Sequence, residues 1–291
     1  MKAKQICLGS IFWMLLATAA VFVPGLSPWI TTPIVLFGII FVLGLLWEIN
    51  LKIRSDEVLE SVLYAIGLGL AFLMLGGLGI NWLLPYLGIA QPLTRLPLTV
   101  FFDISTLALS AGVYFFNRDY VLPWKLNVAD STSLFFGITP VLFVIASVCG
   151  AEILNNGGRG TLTIVMLVGI ALYVLALMVW GRSFQGWTYV SALYCIGLSL
   201  LLMYSLRSSH ILGWDINQEY EVFQATLRNL RWSPSYFPGL DYNACISITI
   251  LPTIFKELTN IPSEYVFKVT FQLLFAVVPL MVYAFAKRYL N

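Results

Sequence analysis

Charge is what this sequence has least of. Only 10% of its 291 residues are Asp, Glu, Lys or Arg, against 59% hydrophobic residues. A soluble domain carries about 25% charged residues. With a mean hydropathy of +0.88, the chain has more apolar surface than a water-soluble fold of this length can bury. The composition therefore excludes a soluble globular protein and assigns a polytopic membrane protein. The net charge of +2 is too small to indicate nucleic acid as a partner. Histidine is nearly absent: His210 stands alone. That closes multi-histidine metal sites and histidine-based hydrolase triads. The four cysteines, Cys7, Cys149, Cys195 and Cys245, form no CxxC pair, and three lie inside apolar runs. They read as small packing residues. No N-x-Ser/Thr sequon occurs, so no glycan site is implied.

What is present is a series of long apolar runs. Eight spans are expected, near 5–25, 33–50, 58–80, 98–116, 132–150, 161–181, 187–206 and 264–286, each close to the length that crosses a bilayer. The first run follows Lys2 and Lys4 like a signal peptide, but continues through Val21, Phe22 and Val23. That favours a retained first span. The run 244–259 is shorter and holds Pro252, so it is expected to be interfacial or re-entrant. The expected fold is all-α: eight transmembrane helices with one short helix that does not cross.

Charge sets the expected orientation. With the N-terminus cytoplasmic, Lys2, Lys4, Lys52, Arg54, Arg118, Lys125, Arg182, Lys287 and Arg288 fall inside. Only Arg95 and Arg159 fall in short outer loops. This is the positive-inside pattern of a cell-membrane protein. It makes 207–263 one long external segment. Trp29, Trp47, Trp82, Trp124, Trp187 and Trp232 lie near span ends and read as an interfacial belt. Gly67, Gly69, Gly76, Gly77 and Gly79 crowd the third span and are expected to permit close helix packing. "NNGGRG", Asn155 to Gly160, lacks the Lys-Ser/Thr of a P-loop and reads as a tight turn. A change of character near Gly186 divides the chain into an expected six-helix module, 1–186, and a second part, 187–291.

The candidate acids fall in three places. Asp103 interrupts the fourth span and reads as a near-terminal residue, reaching interfacial water or capping the helix before Ser105 and Thr106. Glu48, Asp56, Glu57 and Glu60 neighbour Lys52 and Arg54 and read as a solvated, charge-balanced boundary. The third place is "GWDINQEYEVFQ", Gly213 to Gln224. If it is helical, Asp215 and Glu219 share a face as i and i+4. Their repulsion would then be offset by a divalent cation or by Arg207, Arg228 or Arg231. Trp214, Tyr220 and Phe223 would anchor the segment at the membrane surface. On spacing alone, this pair suits a general base, a hard-metal site or an exposed amphipathic helix.

"GWDINQEY", "LRNLRWSPS", "YNACISITILPTIF" and "VFKVTFQLLFAVVPLMVYAF", together with "LESVLYAIGLGLAFLMLGGLGINWLLPYLGI" from Leu59 to Ile89, resemble a family of uncharacterised archaeal multi-pass membrane proteins. That family looks like the N-terminal part of the GT-C membrane glycosyltransferases. The resemblance implies an outward helix, an external loop bearing an acid, interfacial helices and a returning helix. It further implies a polyprenyl-phosphate sugar donor, with Asp215 as catalytic base and Glu219 as second acid. Both acids are implied ligands of a divalent metal such as Mg or Mn. Tyr242 and Asn243 would line the acceptor site. Arg207, Arg228, Arg231 and Lys268 are the cations available to a departing phosphate. GT-C enzymes continue with further spans, whereas the sequence stops at "FAKRYLN". A second polypeptide or a missing C-terminal part is therefore expected to complete the donor pocket. The alternative is a non-catalytic membrane component that binds lipid or assembles with a partner.

Overall fold

The computed structural model describes residues 3–55, 57–122, 124, 130–181 and 184–290. Lys2, Asp56, Lys125 and Arg182 lie outside the described residues. The chain is all-α. In order, the helices are α1 Ala3–Phe22, α2 Pro28–Asn50, α3 Val58–Leu87, α4 Arg95–Phe116, α5 Ser131–Asn155, α6 Thr161–Trp180 and α7 Gly186–Ser205. Next come α8 Trp214–Asn229 and α9 Ile250–Thr259, and last α10 Ser263–Tyr289. All but α8 and α9 are long and apolar enough to cross a membrane, eight in all among the described residues. A helix satisfies its own backbone where no water can, which is why each apolar run became one. The protein is a polytopic membrane protein.

The chain divides into two compact units. Met1–Lys125 and Trp214–Ser263 make the first, and Leu126–Gly213 and Glu264–Asn291 the second. In the first unit α2 packs on α3, and α4 packs on both α1 and α2. The α2–α3 contact brings backbone against backbone. A Cβ on Gly44 would sit 1.7 Å from the Ala65 carbonyl oxygen, and one on Gly69 would sit 1.9 Å from that of Ile40. Gly76 faces Phe101, and Gly77 faces Ile250 and Ile254. Gly67 and Gly79 meet nothing within 4 Å, so close packing accounts for only part of the glycine-rich run. Helix α2 starts at Pro28, where a missing N–H costs nothing. It widens into a π-helical stretch at Phe37–Val42. Beside that stretch the Trp13 indole lies against Gly38 and donates to the Ile34 carbonyl at 3.0 Å.

Two acids sit deeper than their sequence context suggests. Glu48 is 0% exposed. Its two carboxylate oxygens accept from Ser55 at 3.1 Å and Ser61 at 3.0 Å. It is a buried part of the α2–α3 contact, correcting the expectation of a solvated boundary. Asp103 lies about two turns inside α4, and Thr94 holds the N-cap position. The Thr18 hydroxyl lies 2.9 and 3.0 Å from its two oxygens. The helix begins earlier than hydropathy suggested, so Asp103 is an α1–α4 tie and not a cap.

In the second unit Asp130 caps α5 by accepting from the Ser133 N–H at 3.0 Å. Helix α5 is interrupted at Thr139–Pro140. It meets α7 closely: the Trp187 ring fills the space beside Gly137, and Ser191 donates to the Gly137 carbonyl at 2.6 Å. The turn after α5 closes through Gly157, at φ 78°, and through the Gly158 N–H on the Ile153 carbonyl at 2.8 Å. It is the tight turn that "NNGGRG" predicts.

Candidate functional site

The segment 214–263 packs on one end of the first unit. Residues Ile250–Phe255, Leu258 and Thr259 of α9 are buried, against α2, α3 and α4. Helix α9 thus plugs the bundle end where α3 finishes and α4 starts. It does not cross, as its length requires. Pro252 lies in its first turn, where no N–H is needed. Three polar ties fix the segment. Asn81 of α3, 1% exposed, exchanges two hydrogen bonds with the Trp232 backbone: its Nδ2 donates to the carbonyl at 3.0 Å and its Oδ1 accepts from the N–H at 2.8 Å. The Leu93 N–H donates to the Leu230 carbonyl at 3.0 Å. The Arg95 Nε donates to the Glu257 carbonyl at 3.0 Å.

On this platform α8 buries Val222, Phe223, Ala225 and Thr226. Phe223 is a core residue, which corrects its expected role as a membrane anchor, while Trp214 is exposed. Asp215 and Glu219 share one face of α8, as their spacing predicts. The turn Asp241–Ala244 packs against α8 and brings Tyr242 beside that face, near Asp215 and Glu219. Desolvation first, then the neighbouring Asp215 carboxylate, and then Glu219 push the phenol above its ordinary value. Burial first, and the Asp215 charge second, push the Glu219 carboxyl up. Asn243 holds the turn in place: its Nδ2 donates to the Ser233 and Pro234 carbonyls at 3.0 and 3.1 Å. Its own carbonyl accepts from the Trp232 indole at 2.8 Å. Trp232 thus serves as a structural tie. The Asn243 Oδ1 is buried with no hydrogen-bond partner, which leaves an acceptor beside Tyr242 in the chain.

The remaining candidates are placed as follows. Arg228 and Arg231 are exposed in the first unit, and the Arg228 Nε donates to the Gln224 carbonyl at 3.3 Å. Arg207 and Lys268 belong to the second unit. Arg207 is exposed, and Lys268 is 5% exposed. The Lys268 ammonium donates to the carbonyls of Arg207, Ser208 and His210, so its three protons cap the chain reversal after α7. His210 enters this cap through its carbonyl. Sequence reasoning missed Asn81, whose signal was an amide inside "GLGINWLL".

Among the described residues no three His, Cys, Asp or Glu side chains gather around one point. Two carboxylates with a phenol still fit a Mg-type ion, which keeps most of its waters and takes one or two carboxylates plus substrate phosphate.

The chain matches no family model. No curated protein and no solved structure matches it significantly.

Proposed function

We propose that segment 214–263 carries the acceptor-activating end of a membrane glycosyltransferase that uses a polyprenyl-phosphate sugar donor. The observation that carries this reading is the meeting of Asp215, Glu219 and Tyr242 at one end of the first unit. Asp215 is exposed, so an incoming hydroxyl has access to it. In the proposed step the acceptor oxygen attacks the anomeric carbon while its proton passes to Asp215. The bond from that carbon to the phosphate oxygen breaks, and polyprenyl phosphate leaves with inversion at the sugar. Tyr242, beside Asp215, offers its phenol to a second hydroxyl of the acceptor. A divalent ion would be held by Asp215 and Glu219 and would neutralise phosphate charge. Exposed Arg228 and Arg231 provide positive charge in the same unit. The positive-inside pattern of the sequence supports a site on the external side of the membrane.

A second reading, a non-catalytic lipid-binding or assembly component, is favoured by Lys268. This cation, needed for a departing phosphate, is already engaged by three carbonyls. Asp215→Asn separates the two readings. Membranes holding this variant should lose sugar transfer from a polyprenyl-phosphate donor while membrane insertion stays normal. Transfer at the original rate would remove Asp215 from any mechanism.

A further inference from the structure

The opposite end of the first unit carries a second candidate site. Between the α2–α3 turn and the end of α4 lies a cleft of about 470 Å³, lined by Lys52, Arg54, Arg118, Asp119, Phe116 and Val121 among others. Among the described residues that line it, three cations stand against one carboxylate, Asp119. Arg118 is oriented from within α4's last turn: its Nε donates to the Tyr114 carbonyl at 3.1 Å, and its guanidinium lies 4.9 Å from the Tyr114 ring centroid. The terminal nitrogens of the planar guanidinium are left to bond two oxygens of an acceptor such as phosphate.

Lys52 supplies an independent observation. The Ile53 N–H bonds the Glu48 carbonyl and the Lys52 N–H bonds that of Ile49, both at 3.0 Å. This is the Schellman pattern of a helix end. Lys52 occupies the left-handed position of that motif, with φ 55°, where glycine is the unstrained choice. A lysine there is kept at a cost in backbone strain, and such strain collects at binding sites.

The walls decide what kind of phosphate fits. Phe116 is 81% exposed and Val121 62% exposed, and both line the same cleft as the cations. Free phosphate has no use for them, whereas a lipid can lay its chain on them and its headgroup on the cations. We propose that this cleft seats the phosphate of an anionic lipid headgroup, held by Lys52, Arg54 and Arg118. The site is independent of the acidic cluster at the other end and of the glycosyltransferase reading.

The test uses the full chain purified in detergent, with native mass spectrometry after addition of phosphatidylglycerol or phosphatidylcholine. Phosphatidylglycerol should be retained preferentially. Retention should fall about fivefold for each cation removed in Arg54→Gln and Arg118→Gln. Asp119→Asn should strengthen it. Lys52→Gly gives the sharpest result: it should raise the thermal midpoint by relieving the backbone and yet weaken lipid retention. Equal retention of the two lipids, or retention unchanged in the arginine variants, would overturn the proposal. So would protection by inorganic phosphate with no preference between lipids, which would assign the cations to a free anion.

Discussion

Asn81 is the point at which the membrane bundle holds the segment bearing the acidic cluster, and its removal should loosen that segment specifically. Asn81→Ala deletes two hydrogen bonds, of 3.0 and 2.8 Å, and leaves the Trp232 N–H and carbonyl without their partners. Each unsatisfied buried backbone group costs about 1–3 kcal/mol. Trp232 is half-buried, so water reaches it and the low end applies, giving about 2 kcal/mol for the pair. That corresponds to a roughly 30-fold larger open fraction. The bonds Leu93 to Leu230 and Arg95 to Glu257 remain, so the loss is confined to docking and does not unfold the bundle. Amide hydrogen exchange reads this directly. Protection across residues 230–249 should fall about 30-fold, while that of α3 and α4 stays as it was. Asn81→Asp should be worse than alanine, because it places a carboxylate oxygen opposite the Trp232 carbonyl. Unchanged protection over 230–249 in Asn81→Ala, or an aspartate variant that behaves like the original protein, would refute the clamp.

Further predictions follow from the packing and from the acidic pair. Gly44→Ala and Gly69→Ala should each cost at least about 1–3 kcal/mol by overpacking, because their Cβ atoms would meet carbonyl oxygens at 1.7 and 1.9 Å. Gly67→Ala and Gly79→Ala, in open space, should be neutral or gain up to about 1 kcal/mol of helix propensity. Thermal unfolding in detergent compares the four, and equal effects at Gly69 and Gly67 would contradict the close contact. Glu219 has its carboxyl pushed up by burial and by Asp215. Between the ordinary and the raised value the folded chain binds more protons than the unfolded chain, so stability falls as pH rises through that window. Glu219→Gln should abolish that fall and raise the neutral-pH midpoint while leaving the acid midpoint unchanged. A pH profile identical to that of the original protein would show that the pair does not interact.

The spans were legible because each is decided locally: an apolar run of crossing length has only helical conformations open to it in lipid. Their ends were less so. Helix α4 starts at Arg95 and not near 98, because a charged residue that finds the Glu257 carbonyl can enter the helix. The roles of Glu48 and Asp103 were hidden because they are set by Ser61 and Thr18, hydroxyls distant in sequence. Hydropathy registers an acid and an apolar stretch, not the hydroxyl that a neighbouring helix brings to it. The tie made by Trp232 was hidden for a related reason. An indole near a span end is ambiguous until its N–H is seen to bond Asn243. Spacing placed Asp215 with Glu219 on one helix face, but the arrival of Tyr242 depends on the Asp241–Ala244 turn, which no local period encodes.

The acids of the first unit differ in a way that bears on function. Glu48 is buried and takes hydroxyl hydrogen bonds from Ser55 and Ser61, and the half-buried Asp103 takes its own from Thr18 of α1. They satisfy buried polar groups in the manner of structural ties, and no chemistry is needed to explain them. Asp215 and Glu219 stand at the end of the bundle on a helix held by apolar burial, with a phenol beside them. Two carboxylates on adjacent turns repel, and burial of Glu219 adds to the cost. A purely structural surface helix gains nothing from that arrangement, since a Gln at 219 would fill the same space without the penalty. A base or cation site, as proposed above, would make use of such a pair. Glu219→Gln therefore tests more than stability: a variant that is more stable and equally active would place Glu219 outside the mechanism.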